Sequence, residues 1–165
     1  MGLIQDLTER AVEFRSIADE DFSEFIKDET EGYARTVARN FKRGLEEART
    51  MAQQQVKGLL KDGSKTKGHL VLQVLDKGTG EVVGHLWVHA DEGRKRAFLY
   101  DIVVFERFRG KGYGRSIMIL LEATLKQMGM QTVELHVFSE NSVALSLYKK
   151  QGYNTVSCNM LKELK

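Results

Sequence analysis

The spacing of apolar residues changes period along the chain, and each change marks an element. Residues 10–17 (RAVEFRSI) put Val12 and Phe14, with Ser16, on one side of an extended chain, which predicts a short first strand. From Phe22 the spacing is helical: Phe22, Phe25, Ile26, Tyr33 and Val37 share a stripe, and Asp19 or Asp21 is placed to cap it. Phe41, Leu45, Ala48, Met51 or Ala52, Val56 and Leu59 continue helically. Two helices with a break between about Asn40 and Gly44 are expected, one long bent helix being the alternative. Asp62-Gly63-Ser64 ends this region. From His69 the period is two. Residues 69–75 and 81–89 read as strands joined by a turn at 76–80, and Asp91-Glu92-Gly93 makes another turn. Residues 97–105 are nearly all apolar and read as a strand buried on both faces. Tyr113, Ile117, Leu120, Leu121, Leu125 and Met128 form a strong helical stripe that Gly129 ends. Residues 132–138 read as a strand, 141–151 as a short helix stopped by Gly152, and 153–164 as a last strand. This order predicts an α/β chain with a mixed sheet, mostly antiparallel in its first part. No repeat or low-complexity linker divides it, so residues 1–165 are expected to form one domain.

Composition narrows the function classes. Hydrophobic residues make up 42% and charged residues 29%, which is globular. The formal charge is +2, from 25 Lys+Arg against 23 Asp+Glu, which argues against a dedicated nucleic-acid binder. One cysteine, Cys158, allows no intrachain disulfide, so a reducing, cytoplasmic setting is expected. No apolar run approaches the roughly 20 residues of a membrane span. The opening residues are polar and acidic, unlike a signal peptide, and Asp6 stands where a myristoylation motif has Ser or Thr. The charge is uneven. Residues 19–31 hold Asp19, Glu20, Asp21, Glu24, Asp28, Glu29 and Glu31 against Lys27, whereas Arg35, Arg39, Lys42, Arg43 and Arg49 follow. With 15 glycines and no proline, sharp backbone turns fall to Gly, Asn, Asp and Ser.

The densest glycine cluster is Arg109-Gly110-Lys111-Gly112-Tyr113-Gly114, between the apolar strand and an amphipathic helix. A helix N-terminus offers N–H groups and the positive end of the dipole, a setting for phosphate. Glycines let an anion reach the backbone, and Arg109, Lys111 and Arg115 add charge. The spacing is not a P-loop, because Gly114 is followed by Arg115-Ser116. It is not the dinucleotide fingerprint either, since the third glycine comes one residue too soon. A plain strand-to-helix turn on a basic edge is the bland alternative.

Arg109-x-x-Gly112-x-Gly114, after Ile102-Val103-Val104, resembles the (Gln/Arg)-x-x-Gly-x-(Gly/Ala) signature of the GNAT superfamily of N-acetyltransferases. Asn141-x-x-Ala144-x-x-Leu147-Tyr148 through Gly152-Tyr153 resembles that family's second segment, in family order and spacing. Together they cover roughly residues 98 to 155. The resemblance implies a GNAT fold: a mixed central sheet of about six or seven strands with helices on both faces. It implies acetyl-CoA as co-substrate and direct transfer of its acetyl group to an amine in a ternary complex. It implies that the strand at Ile102, Val103 and Val104 splays from the one near Leu135, and that the pantetheine arm pairs there with backbone groups, Val104 giving its N–H and C=O. The pyrophosphate would lie on Arg109, Gly110, Lys111, Gly112, Tyr113 and Gly114 beside Arg115, and Asn141 would contact the arm.

The same resemblance gives Tyr148 the role of acid toward the departing sulfur; packing beneath the sheet is its plainer reading. For the base, His136 lies five residues before Asn141, where several relatives carry a glutamate, and a histidine titrates in the needed range. Asp101 is the rival, an acid inside an apolar strand. Glu140 reads as a helix-start acid. His85, Trp87 and His89 alternate on one strand face, as acceptor-pocket lining or exposed decoration. The four histidines lack metal-ligand spacing, so no metal is expected. The acidic stretch 19–31 would attract a cationic amine or simply be a solvated helix face. The acceptor, a small-molecule or protein amine, is not named by the sequence, and a homodimer is left open through the edge strand at 153–164. A non-catalytic acyl-CoA sensor on the same fold, and an ATP- or dinucleotide-binding protein, are the competing classes.

Overall fold

The computed structural model describes residues 10–164; the signal-peptide and myristoylation readings fall on residues 1–9 and lie outside it. The described residues form two compact units, residues 10–22 with Asp62–His136, and Ser23–Lys61 with residues 137–164. The elements run β1 (Val12–Ser16), α1 (Asp19–Phe41), α2 (Leu45–Leu59), β2 (His69–Asp76), β3 (Val82–Asp91), β4 (Arg96–Val104), α3 (Tyr113–Gln127), β5 (Thr132–Leu135) and α4 (Ser142–Lys150). No helix among the described residues is long and apolar enough to cross a membrane.

The first unit is a sheet of order β1-β2-β3-β4-β5. The first four strands pair antiparallel, as the two-residue period and its turns require, and β5 joins β4 in parallel after the α3 crossover. The helix packs on β1 and β4, and its stripe of Ile117, Met118, Leu121 and Leu125 is buried. Each such side chain contributes about 1.5–3 kcal/mol by leaving water. The first turn of α1 is tied to the segment before β2, where Asp19 accepts from Ser64 Oγ at 2.8 Å and Lys65 Nζ at 3.1 Å.

In the second unit α1 and α2 are separate helices. Lys42 has a left-handed φ of +50°, which ends α1 and excludes one bent helix. Ala34, Val37, Ala48 and Ala52 form the seam, with Tyr33, Ala38 and Phe41 packed against it. Glu31 reinforces that seam: it accepts from Arg35 and from both Nε and Nη2 of Arg49. These hydrogen bonds, Arg49 foremost, hold its carboxyl down at about 2.

The structure departs from the sequence expectations at the sheet. It has five strands among the described residues, not six or seven. Residues 153–164 form no strand, because no neighbouring strand receives their backbone. The strand expected over 132–138 stops at Leu135. Nor is β4 buried on both faces: Tyr100 to Val104 are only half-buried. These last two differences share one cause. Between Trp87 and Val88 the β3–β4 register shifts, leaving Tyr100 as an extra residue in β4. Such a bulge bends and twists its strand. Pairing of β4 with β5 ends at Leu99↔Leu135, immediately before it.

Around the bulge lies an aromatic cluster. Tyr100 stacks on Trp87 at 4.5 Å and meets Phe98 edge-on at 4.8 Å. Trp87 Nε1 donates to His69 Nδ1 at 2.9 Å, and the His69 ring lies 4.5 Å from that of His89, its cross-strand partner. Burial, and secondarily the charge of His89, push His69 down to about 4. The unfolded chain therefore binds a proton between about pH 6.5 and 4 that the folded chain refuses, and stability falls as pH drops through that window. The expected loss is at most about 2 kcal/mol, since His69 is only half-buried and solvent screens part of the effect. Urea midpoints between pH 7 and 5 should show this slope, and His69→Gln should flatten it; equal slopes would exclude His69 as the cause.

Candidate active site

The glycine turn is built as its composition demands. After β4 a short 3₁₀ turn, Glu106–Phe108, leads to Gly110 and Gly112, which have φ of +71° and +87°. Those are left-handed conformations that glycine adopts without steric cost. Gly112 precedes α3 and offers no side-chain cap. The first helical bond is Ser116 N–H to Gly112 O at 3.2 Å, so the amides of Tyr113 and Gly114 lie ahead of it. Arg109, Lys111 and Arg115 are exposed around them. An uncapped helix start with glycine backbone and exposed cations fits a phosphate-bearing ligand.

The side chain of Tyr113 pins this turn from below. It is buried, meets Phe108 edge-on at 5.8 Å, and donates its hydroxyl to Asp76 Oδ2 at 2.5 Å. Asp76 also accepts from the amides of Gly78 and Thr79 at 2.8 and 3.0 Å. The Tyr113 bond, then these amides, keep the Asp76 carboxyl below its ordinary range; burial, then Asp76, raises the phenol. Arg10 closes the other side. Its backbone N–H donates to Ser116 Oγ at 2.8 Å, and its Nε reaches Lys111 O at 3.3 Å. Asp76 and Arg10 were not anticipated. The turn spacing Asp76-x-Gly78-Thr79 carried a signal for the first; nothing in the sequence pattern marked Arg10.

The strand leading to this turn has an open edge. Phe105 N–H donates to Val83 O at 2.9 Å, so Phe105 and, by alternation, Val103 direct their backbone toward β3. Ile102 and Val104 therefore turn theirs to the opposite edge, where β5 no longer pairs. The Val104 carbonyl receives Arg109 Nε at 3.0 Å. Gly84 makes the close approach of β3 possible, since a Cβ there would lie 2.0 Å from Val103 O.

Asp101, the acid of this strand, has a partner that the sequence did not indicate. His85 Nε2 lies 3.3 Å from Asp101 Oδ2, on the neighbouring strand. His85 and Trp87 are both buried, which overturns their reading as exposed decoration. His136 does not lie in a strand: it follows the end of β5 and is exposed.

In the second unit, Asn141 caps α4 by accepting from Ala144 N–H at 3.1 Å. The preceding Glu140 accepts from Arg39 and Asn40, at 2.7 and 2.9 Å, so it anchors the loop that carries the cap. Tyr148 is buried on α4, its ring 5.7 Å from that of Tyr153. Gly152, with φ of +90°, ends this turn.

Residues 36–153 match the model of the Acetyltransferase (GNAT) family. The chain is a GNAT acetyltransferase. Its α/β fold is that family's, and acetyl-CoA is the acetyl donor the family uses. The uncharacterized N-acetyltransferase YycN of Bacillus subtilis is 31% identical over 147 residues, covering 88% of this chain and 94% of that protein. The crystal structure of YycN matches with a TM-score of 0.89 at 28% identity, covering 94% and 99% of the two chains. The PaiA N-acetyltransferase of Thermoplasma acidophilum, solved in complex with coenzyme A, shares the fold at a TM-score of 0.65 and 18% identity, over 90% and 93% of the chains.

Gly84→Ala should test the geometry of the open edge. The added methyl must displace β4 backbone, at an expected cost of about 1–3 kcal/mol. Thermal unfolding should show the loss, whereas Gly44→Ala, with nothing within 4 Å of its Cβ position, should leave Tm nearly unchanged. Equal Tm values for the two variants would contradict the close β3–β4 approach.

Proposed function

We propose that this acetyltransferase transfers the acetyl group of acetyl-CoA to a primary amine, with both substrates bound together. The observation that carries this reading is the edge of β4, unpaired beyond Leu99 and running into an uncapped, glycine-lined helix start. Ile102 and Val104 would hold the pantetheine amides with backbone groups, in the manner of an added strand. The amides of Gly110, Gly112, Tyr113 and Gly114, with Arg109, Lys111 and Arg115, would hold the pyrophosphate. Val103 directs its backbone to β3 and would contribute only its side chain. The Asn141 side-chain oxygen serves the helix, leaving its amide NH2 to reach the arm.

When bound, acetyl-CoA supplies an activated acyl carbon and a thiolate leaving group. The chain must remove a proton from the amine and return one to the sulfur. Asp101 accepts the amine proton in this proposal, directly or through water, with His85 orienting it; His136 is the alternative base. Tyr148 donates its phenolic proton to the sulfur. The acceptor is a small-molecule or protein amine. Residues 1–165 act as one catalytic domain in a reducing cytoplasm, where the exposed Cys158 stays a thiol.

Steady-state kinetics test the roles. Tyr148→Phe should lower kcat by about 10²–10⁴-fold with little change in acetyl-CoA affinity, the range of a lost proton donor. Unchanged turnover would remove Tyr148 from the chemistry. Asp101→Asn should lower kcat/KM by about 10²–10⁴-fold, the range of a lost general base, while His136→Gln leaves it nearly unchanged; the reverse pattern would transfer the base role to His136.

A further inference from the structure

The turn between β2 and β3 carries a buried carboxylate that does more than close a hairpin. Asp76 is 7% exposed. Its Oδ1 accepts from the amides of Gly78 and Thr79, the ordinary bonds of an aspartate turn, which a serine also makes, more weakly. Its Oδ2 leaves the hairpin altogether and takes the hydroxyl of Tyr113 at 2.5 Å, 37 positions away. A buried carboxylate is costly unless it is fully hydrogen-bonded, so each partner holds the other in place.

The same hairpin grips the glycine turn on both sides. Glu81 faces Arg107 at 3.6 Å, ahead of Gly110, and Asp76 holds Tyr113, directly after Gly112. The Arg107 contact is exposed and contributes little, whereas the Tyr113 contact is buried and directional. β1 backs it: Lys77 N–H donates to Ala11 O at 2.9 Å, and the Arg10 guanidinium lies 5.7 Å from the centre of the Tyr113 ring. Between the two grips, Gly110 and Gly112 give the backbone a freedom that is costly to fix. A site made of backbone amides binds tightly only when those amides are already aimed.

We propose that Asp76 is a positioning residue for the acetyl donor: through Tyr113 it fixes the amides of the glycine turn in the arrangement that receives the pyrophosphate. The inference rests on the placement of the pyrophosphate at this turn. Charge alone would give Asp76 the opposite effect, because a carboxylate near an anion site repels the anion. Asp76 therefore favours the phosphates through geometry. A turn that keeps the competent arrangement for about one-tenth of the time binds its ligand about tenfold more weakly. The pantetheine arm pairs with β4 and does not read the turn.

Binding of coenzyme A by isothermal titration, and of pantetheine by its competition with coenzyme A, tests this without an acceptor amine. Pantetheine lacks the phosphates. Tyr113→Phe removes the hydroxyl and keeps the ring. Asp76→Ser keeps a short acceptor for the turn amides, carries no charge and cannot reach Tyr113. Each should weaken coenzyme A about tenfold and shift pantetheine by less than about twofold. A variant that does not fold leaves the other to decide. Equal losses for the two ligands would make the bond merely structural. A loss in Tyr113→Phe that Asp76→Ser does not share would assign the effect to an unpaired charge. Either result, or an unchanged preference for coenzyme A in both variants, overturns the role of Asp76 alone. A wild-type chain that binds the two ligands alike overturns the placement of the phosphates at the turn, and this inference with it.

Discussion

β4 has to bond to β3 along its length while parting from β5 after Leu99, and the rest of the site depends on that asymmetry. Three local devices produce it. The extra residue at Tyr100 breaks the ladder where pairing with β5 ends. Gly84 has no Cβ to keep Val103 O away, so β3 stays close beyond the bulge. Arg109 then occupies the carbonyl of Val104. The result is a strand with one satisfied edge and one available edge, leading directly into the glycine turn. An unsatisfied backbone edge is normally a liability. Here the edge is short and bounded by the bulge at one end and the Arg109 contact at the other, so it can receive a ligand backbone without recruiting another strand.

The turn itself is readable in the sequence because its constraint is conformational. Gly110 and Gly112 have left-handed φ values, and few other residues serve there, so the requirement appears in the letters. The stop at Gly152 is legible for the same reason. What holds the turn in place is not legible. The bond between Tyr113 and Asp76 joins residues 37 positions apart, and that between Arg10 and Ser116 joins residues 106 apart. The pairing of His85 with Asp101 depends on strand register, and a one-residue slip would move one of them to the other face. The bulge at Tyr100 lies within one strand but shortens another, which is why the boundary of β5 could not be read from residues 132–138 alone.

Charge is organised by pairing more than by net count. The acidic run 19–31 reads in the sequence as a cation-attracting surface or a solvated helix face, and several of its members have protein partners. Asp19 faces Ser64 and Lys65, Asp21 accepts from Gln73, and Glu31 takes Arg35 and Arg49. These acids fasten helices rather than advertise for a ligand. The basic residues of the turn are differently placed. Arg109 spends one nitrogen on Val104, Arg10 approaches the Lys111 carbonyl, Lys111 Nζ lies over the Phe108 ring, and Lys111 and Arg115 are exposed around an uncapped helix start. A chain of net charge +2 thus gathers the exposed Arg109, Lys111 and Arg115 at the position where backbone N–H groups also converge.

The same logic explains why the second motif pairs an asparagine with a tyrosine seven residues on. In an α-helix seven residues make about two turns, so a cap at Asn141 fixes the face on which Tyr148 stands. The cap is itself anchored, because Glu140 is held by Arg39 and Asn40 near the end of α1. Helix phase therefore passes from α1, through a carboxylate, to the cap and so to the phenol. A tyrosine that only filled space would tolerate rotation of α4 by a fraction of a turn. The proton-donor role proposed for Tyr148 requires a fixed phenol, and the charge-assisted bonds of Glu140 restrain the start of the helix that carries it.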